Sequence, residues 1–212
     1  VLVGLSKGDA WGFGSPRVVG AIVVGVVALV VFVWWERRVD DPIVPLALLR
    51  LRSLVTANSA AAASAAALFG LMVLLPFYMV RVLGYGPITV AAAMTPIAGS
   101  FVIFGPVGGR LTGHVRAPRL AASGYAISAT GALVMALTAA RQSYGAMLAG
   151  LILFAAGLAL AQSSVTTVAI SEVPPERLGV ASSMPNISRY AGGGFGTAML
   201  GVVMHSALPA SA

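Results

Sequence analysis

Long apolar stretches separated by short polar connections form the dominant pattern along the chain. A helix needs about 20 apolar residues to cross the hydrocarbon core of a bilayer. Six stretches approach or exceed that length, and each predicts one membrane-spanning helix. They are residues 17–35, 54–80, 88–109, 120–140, 144–170 and 178–204. The run 23–33 is apolar without a break, whereas the strands of a membrane barrel alternate apolar and polar residues, so the pattern favours helices.

The composition is typical of a chain that lipid surrounds. Hydrophobic residues make up 58% of the 212 residues, charged residues make up 9%, and the mean hydropathy is +0.95. Soluble domains carry about 25% charged residues, so this chain has too few charges to cover a water-facing surface. The sequence therefore predicts an all-α integral membrane protein. We expect a polytopic helical bundle with about six transmembrane helices and the lipid bilayer as its surroundings.

Basic residues in the connections predict the orientation, because cytoplasmic loops carry an excess of arginine and lysine. Alternate connections hold eight basic residues on one side and four on the other. The larger set, which we expect to be cytoplasmic, is Arg37, Arg38, Arg50, Arg52, Arg110, Arg116, Arg119 and Arg177, and the smaller set is Lys7, Arg17, Arg81 and Arg141. The first span then runs from outside to inside, which implies an odd number of spans upstream in a longer protein.

Several other kinds of chemistry are not indicated. The formal net charge is +7, but the 13 basic residues are scattered, so no nucleic-acid surface is expected. The chain has no cysteine, and His114 and His205 are too far apart to predict a metal site. Residues 4–8 match G-x-S-x-G but lack the partners of a hydrolase. All six acidic residues fall outside the predicted spans, so we expect neither an enzyme nor a metal.

Polar side chains inside the predicted spans are candidates for a substrate cavity, because lipid offers them no partner. Ser182, Asn186 and Arg189 lie at i, i+4 and i+7 and therefore share one helical face. Two interpretations stay open. The face turns toward protein or water, or the Arg189 side chain extends back to the inner membrane interface. The other cavity candidates are Asn58, Gln162 and Thr166.

Small residues inside the spans predict close helix packing. Gly124, Ser128 and Gly131 lie at i, i+4 and i+7 on one face of the fourth predicted span. Small residues let helix backbones approach each other in lipid, where van der Waals contact drives association. We therefore expect this face to pack against another helix rather than to bind a ligand.

Three segments, taken in chain order, resemble one family of transporters. They are Phe32-Val33-Trp34-Trp35-Glu36-Arg37-Arg38 with Asp41-Pro42, then Leu75-Pro76-Phe77-Tyr78 with Leu83-Gly84-Tyr85-Gly86-Pro87, and then Val173-Pro174-Pro175-Glu176-Arg177 with Gly179, Ala181-Ser182, Asn186, Arg189, Gly192-Gly193, Gly196 and Gly201. They resemble the junction after the central helix pair, an external loop, and the penultimate helix with its preceding loop. The family is the fourteen-helix drug:proton antiporter branch of the major facilitator superfamily.

Residues 109–119 resemble the cytoplasmic gating loop of that family, G-x-L-x-D-R-x-G-x-R. The gating-loop candidates that this resemblance implies are Gly109, Arg110 and Arg119. The chain departs from the pattern where Gly113 stands at the acidic position, His114 at the following basic position and Arg116 at the glycine position. The departure weakens the expectation of a charge relay in this loop.

The resemblance implies a division of the chain. Residues 1–53 would form the end of a central linker region, with one transmembrane helix at about 17–35 and a cytoplasmic loop. Residues 54–212 would form an incomplete C-terminal bundle of about five helices. The N-terminal bundle of the same protein would be a partner of this chain, and the family's proton-carrying acids would lie in sequence outside it.

The function that the resemblance implies is proton-coupled efflux. The chain would be part of a secondary active transporter that confers antibiotic resistance by moving small hydrophobic or cationic compounds across a bacterial cytoplasmic membrane. The proton gradient would supply the energy, with no cofactor. Two alternatives stay open, which are another class of polytopic transporter or channel subunit, and a membrane protein that does not transport.

Overall fold

Five long α-helices and one short 3-10 helix account for most of the described structure. The computed structural model describes residues 20, 23–25, 27–28, 30–31, 34–35, 38, 51–141 and 143–207. The helices are α1 (Arg52–Arg81), α2 (Pro87–Thr112), α3 (Ala117–Ala139), α4 (Tyr144–Ile170), the 3-10 helix Pro175–Arg177, and α5 (Leu178–Ala207). Within these described ranges no residue belongs to a β-strand, so the predicted all-α fold is confirmed.

Four helices are long and apolar enough to cross a membrane by length and composition. They are α1 to α4, and they coincide with the predicted spans 54–80, 88–109, 120–140 and 144–170 to within a few residues. The fifth, α5, covers the predicted span 178–204, but its first half carries three serines, an asparagine and an arginine that lower its apolar content. The first predicted span, 17–35, lies largely outside the described residues.

Local sequence explains where the helices begin and end. Gly86 is extended, and Pro87 follows it at the first position of α2, where its missing amide hydrogen costs no helical hydrogen bond. Gly84 has a φ of 68°, a left-handed conformation that glycine adopts without steric cost. That turn lets the Tyr85 amide donate to the Met79 carbonyl oxygen at 3.0 Å, which closes the end of α1.

Arginine side chains stack on aromatic rings one turn away at two predicted membrane boundaries. The Arg38 guanidinium lies 4.1 Å from the centroid of the Trp34 ring. The Arg81 guanidinium lies 5.6 Å from the Phe77 ring. A ring at the headgroup level beside a cation is the arrangement that membrane interfaces favour.

The described residues form two compact units. The first unit comprises Val1–Leu71 and Glu172–Ala212, and the second comprises Met72–Ser171. One boundary falls inside α1 and the other falls between α4 and the 3-10 helix. The division predicted at residue 53 concerns the linker and the bundle of a larger protein, and it stays a prediction.

The core of the second unit is an antiparallel contact between α3 and α4. Gly124, Ser128 and Gly131 are all buried, which confirms the predicted packing face. A Cβ atom added to Gly124 would lie 2.8 Å from the carbonyl oxygen of Gly157, and one added to Gly131 would lie 2.7 Å from that of Gly150. The two backbones are therefore in direct contact, and only glycine fits at these positions.

The other helices of this unit are joined by backbone contact and by tyrosine hydroxyls. A Cβ atom at Gly108 of α2 would lie 2.9 Å from the Leu160 carbonyl oxygen of α4. The Tyr144 hydroxyl donates to the Ala93 carbonyl oxygen, also at the α2–α4 contact, at 2.7 Å. The Tyr78 hydroxyl donates to the Ala139 carbonyl oxygen at 2.7 Å and joins α1 to α3. Both tyrosine bonds lie at the end of the unit that we predict, from the loop charges, to face outside.

We predict that Gly131→Ala destabilises the full-length protein. The added methyl group would overlap the α4 backbone, and overpacking costs about 1–3 kcal/mol, against a gain of up to ~1 kcal/mol in helix propensity. The matched control is Gly105→Ala, because no atom lies within 4 Å of its added Cβ. Thermal unfolding of the purified protein should show a lower Tm for the first variant and an unchanged or higher Tm for the control. Equal Tm values for both variants would show that the α3–α4 contact is loose.

Candidate functional site

The polar face predicted on α5 is present as a linked pair and a more distant serine. The Arg189 Nη1 atom donates to the Asn186 Oδ1 atom at 2.8 Å. Asn186 is exposed, whereas Arg189 and Ser182 are half-buried. The Ser182 hydroxyl donates to the carbonyl oxygen of Gly179 in the preceding turn at 2.9 Å. The Asn186 side-chain amide therefore holds the Arg189 guanidinium about one turn further along α5. The Ser182 hydroxyl is instead bonded to the backbone of the preceding turn.

A glycine contact between α1 and α5 fixes the register of this face within the first unit. A Cβ atom added to Gly192 would overlap the Ala62 backbone, with the Ala62 Cα atom at 2.6 Å. A Cβ atom added to Gly196 would meet the Ala66 Cα atom at the same distance of 2.6 Å. The second contact lies four residues further along both helices than the first, so α1 and α5 run parallel here. Each residue of α1 then lies level with the residue of α5 that is 130 positions later.

This register brings Asn58 to the level of the α5 polar pair. Asn58 lies one turn before Ala62, so it is level with Ser188 and next in height to Arg189. Its Oδ1 atom is buried and has no hydrogen-bond partner among the described residues. An unsatisfied amide oxygen in a membrane span costs free energy unless a donor reaches it. Of the predicted cavity residues, Asn58, Asn186 and Arg189 are therefore the set that the structure gathers at one depth.

The same register gives the depth of Arg189. Ser182 is level with Arg52, the basic residue that begins α1. Arg189 lies seven residues further along α5, or about 10 Å at the rise of an α-helix. That depth is inside the apolar part of α1, yet a long arginine stem can extend toward the headgroups. The predicted orientation of this face toward the transporter interior therefore stays a prediction.

Gln162 and Thr166 belong to the second unit. They lie one turn apart on α4, and both are half-buried. Between them Ser164 is fully buried, and its hydroxyl has no hydrogen-bond partner among the described residues. The expectation that Gln162 and Thr166 share a cavity with the α5 face stays a prediction.

The loop predicted to act as a gate is a tight turn between α2 and α3. Gly109, Arg110 and Arg119 are all exposed. The Gly113 amide donates to the Arg110 carbonyl oxygen at 3.2 Å, and the His114 Nδ1 atom lies 3.1 Å from the same oxygen. These bonds shape the turn, and the gating role of the loop stays a prediction.

No motif or spacing in the sequence predicted one polar contact in the first unit. The Ser53 hydroxyl donates to the Glu172 Oε2 atom at 2.8 Å and joins the start of α1 to the segment that precedes α5. The two residues are 119 positions apart, and neither belongs to a motif. Both fall in connections that the basic residues assign to the cytoplasmic side.

Four helices that are long and apolar enough to span a membrane, with a few polar groups inside them, define a polytopic membrane protein. Residues 2–197 match the sequence profile of the Major Facilitator Superfamily, and the chain belongs to this superfamily.

Three curated relatives show the branch that this chain is similar to. The multidrug resistance protein Stp of Mycobacterium tuberculosis is 30% identical over 205 residues, which cover 97% of this chain and 38% of that protein. The tetracenomycin C resistance and export protein of Streptomyces glaucescens is 29% identical over 203 residues, which cover 96% and 38%. The multidrug export protein EmrB of Escherichia coli is 30% identical over 188 residues, which cover 88% and 37%. The chain thus spans less than two fifths of the length of these relatives.

We predict that cysteines at Asn58 and Ser188 crosslink in the full-length protein. The α1–α5 register places these positions level and close to the glycine contact, within reach of a short bifunctional thiol reagent. The control pairs Asn58→Cys with Tyr190→Cys, because Tyr190 lies at nearly the same height but is 74% exposed on another face. Mobility on a gel after cutting the chain between α1 and α5 reports the crosslink. A crosslink that forms as readily in the control pair would show that the assigned register is wrong.

Proposed function

We propose that this chain is part of a secondary active exporter that moves small hydrophobic or cationic drug-like compounds out across a bacterial cytoplasmic membrane. The observation that carries the proposal is the match to the Major Facilitator Superfamily over residues 2–197, together with relatives named for multidrug resistance and export. Carriers of this architecture alternate access by moving one bundle against another around a central site. The polar groups of α1 and α5 are candidates for the lining of that site.

Energy coupling is the second part of the proposal. A proton-coupled carrier needs a group that takes up a proton inside the membrane, and a carboxylate is the usual one. All six acidic residues of this chain lie outside the predicted spans. We therefore assign the proton-binding carboxylate to a part of the transporter that this chain does not include, and we assign no cofactor besides the proton gradient.

We predict gradient-dependent efflux by the full-length protein in liposomes. With an imposed pH gradient, a fluorescent cationic dye should move against its own gradient, and a protonophore should abolish that movement. The 212-residue chain alone should show no such efflux, because its spans lack a carboxylate. Dye flux that follows only the dye gradient would indicate a channel, and absence of flux would indicate a protein that does not transport. Either result contradicts the proposed function.

We predict that Arg189→Lys and Arg189→Ala both lose efflux at normal membrane levels. Lysine lacks the planar set of donors that holds Asn186, so it should not rescue the site. Loss of one hydrogen bond to a charged group, roughly 1.5–3 kcal/mol, corresponds to a decrease of about tenfold or more. Arg141→Ala in the α3–α4 connection is the control and should retain efflux. Full efflux in the lysine variant would favour the interfacial position of Arg189, and full efflux in the alanine variant would remove its role.

A further inference from the structure

The turn between α2 and α3 presents a basic surface that consists of Arg110, Arg116 and Arg119. Arg110 lies in the last turn of α2, Arg116 directly precedes α3, and Arg119 lies in its first turn. All three residues are exposed. Among the described side chains of Met72–Ser171, none makes a hydrogen bond or an ion pair with these three guanidinium groups. Three positive charges therefore lie within ten residues without a described group of their own unit to neutralise them.

The whole second unit lacks the means to neutralise this surface. No aspartate or glutamate occurs anywhere in Met72–Ser171, whereas five arginines do, which are Arg81, Arg110, Arg116, Arg119 and Arg141. The α2 carbonyl groups beside the surface already accept hydrogen bonds from backbone amides of the turn. The Arg110 carbonyl oxygen accepts the Gly113 amide, and the Leu111 carbonyl oxygen accepts the His114 and Val115 amides. The compensating negative charge has to come from outside this unit.

The faces that lead to the arginines indicate where that charge lies. On α2, Ile103 and Val107 are 62% and 39% exposed, and they share one face with Arg110 at i, i+4 and i+7. On α3, the exposed Leu133 and Leu137 share a face with Arg119 at spacings close to whole turns. Both helices are long and apolar enough to span a membrane. An apolar face that ends in an arginine is the arrangement expected where acyl chains give way to headgroups.

We propose that the basic surface of Arg110, Arg116 and Arg119 binds the headgroup phosphates of anionic phospholipids in the membrane leaflet that it faces. Guanidinium groups bind phosphate oxygens through charge-assisted, often paired hydrogen bonds. Basic residues next to a membrane span attract anionic lipid, and the attraction falls off within a Debye length. Bound lipid supplies the negative charge that Met72–Ser171 lacks, and it anchors the α2–α3 turn at the surface of the bilayer. The proposal does not depend on what the protein transports.

Fluorescence quenching by brominated lipid tests the proposal directly. A Val115→Cys substitution in a cysteine-free full-length protein carries a bimane label between Arg110 and Arg116, and the protein is reconstituted in phosphatidylcholine liposomes. The experiment compares quenching by brominated phosphatidylglycerol with quenching by brominated phosphatidylcholine of the same acyl chains. We expect the anionic lipid to be enriched at the label by about fivefold or more at low ionic strength, and added NaCl should reduce the enrichment.

Variants test whether these three arginines, and not the overall positive charge of the protein, attract the anionic lipid. The triple variant Arg110→Gln, Arg116→Gln and Arg119→Gln should quench equally with both lipids, and Arg110→Gln alone should show an intermediate preference. The matched control Arg141→Gln removes one charge from the α3–α4 connection and should keep the full preference. Equal quenching by the two lipids in the labelled protein that keeps all three arginines would overturn the proposal. An unchanged preference for the anionic lipid in the triple variant would also overturn it. Loss of the preference on adding millimolar inorganic phosphate at constant ionic strength would also overturn it, because the surface would then be a site for free anions.

Discussion

Direct contact between helix backbones is the interaction on which this structure depends. Helices surrounded by lipid gain little from burying apolar side chains against each other, because acyl chains are equally apolar. Association then relies on close packing, which requires positions without side chains. Gly124 and Gly131 supply them against α4 in one unit, and Gly192 and Gly196 supply them against α1 in the other. The large apolar side chains of these helices, such as Val102, Ile103 and Leu137, are consequently exposed.

The α1–α5 contact also sets the direction of the polar face. A helix turns about 100° per residue, so Ser182, Asn186 and Arg189 lie roughly 60° to 120° around α5 from Gly192. They therefore flank the contact instead of lying within it, which agrees with the exposure of Asn186 and the partial burial of the other two. Asn58 lies close to the contact line on α1, which explains why its amide oxygen is buried. Two glycines one turn apart therefore fix the rotation and height of the candidate polar face, to which they do not themselves belong.

Features that depend on a single helix could be predicted from the sequence. Features that depend on the register between two helices could not. Apolar length predicted α1 to α4, and the spacing of Gly124, Ser128 and Gly131 predicted a packing face, because both are periodic features of single helices. The pairing of Gly192 with Ala62 and of Ser53 with Glu172 depends on register between segments more than 100 residues apart, which no local pattern encodes. The depth of Arg189 was ambiguous for the same reason, since hydropathy gives no height relative to a neighbouring helix.

The two units differ in the ionisable residues that they contain. Arginine keeps its charge at every physiological pH, and Met72–Ser171 contains arginines, a single histidine and no carboxylate. That histidine, His114, lies in an exposed turn instead of a span. Within the membrane the charge of this unit is therefore fixed. The proton coupling proposed above would therefore require a carboxylate outside Met72–Ser171.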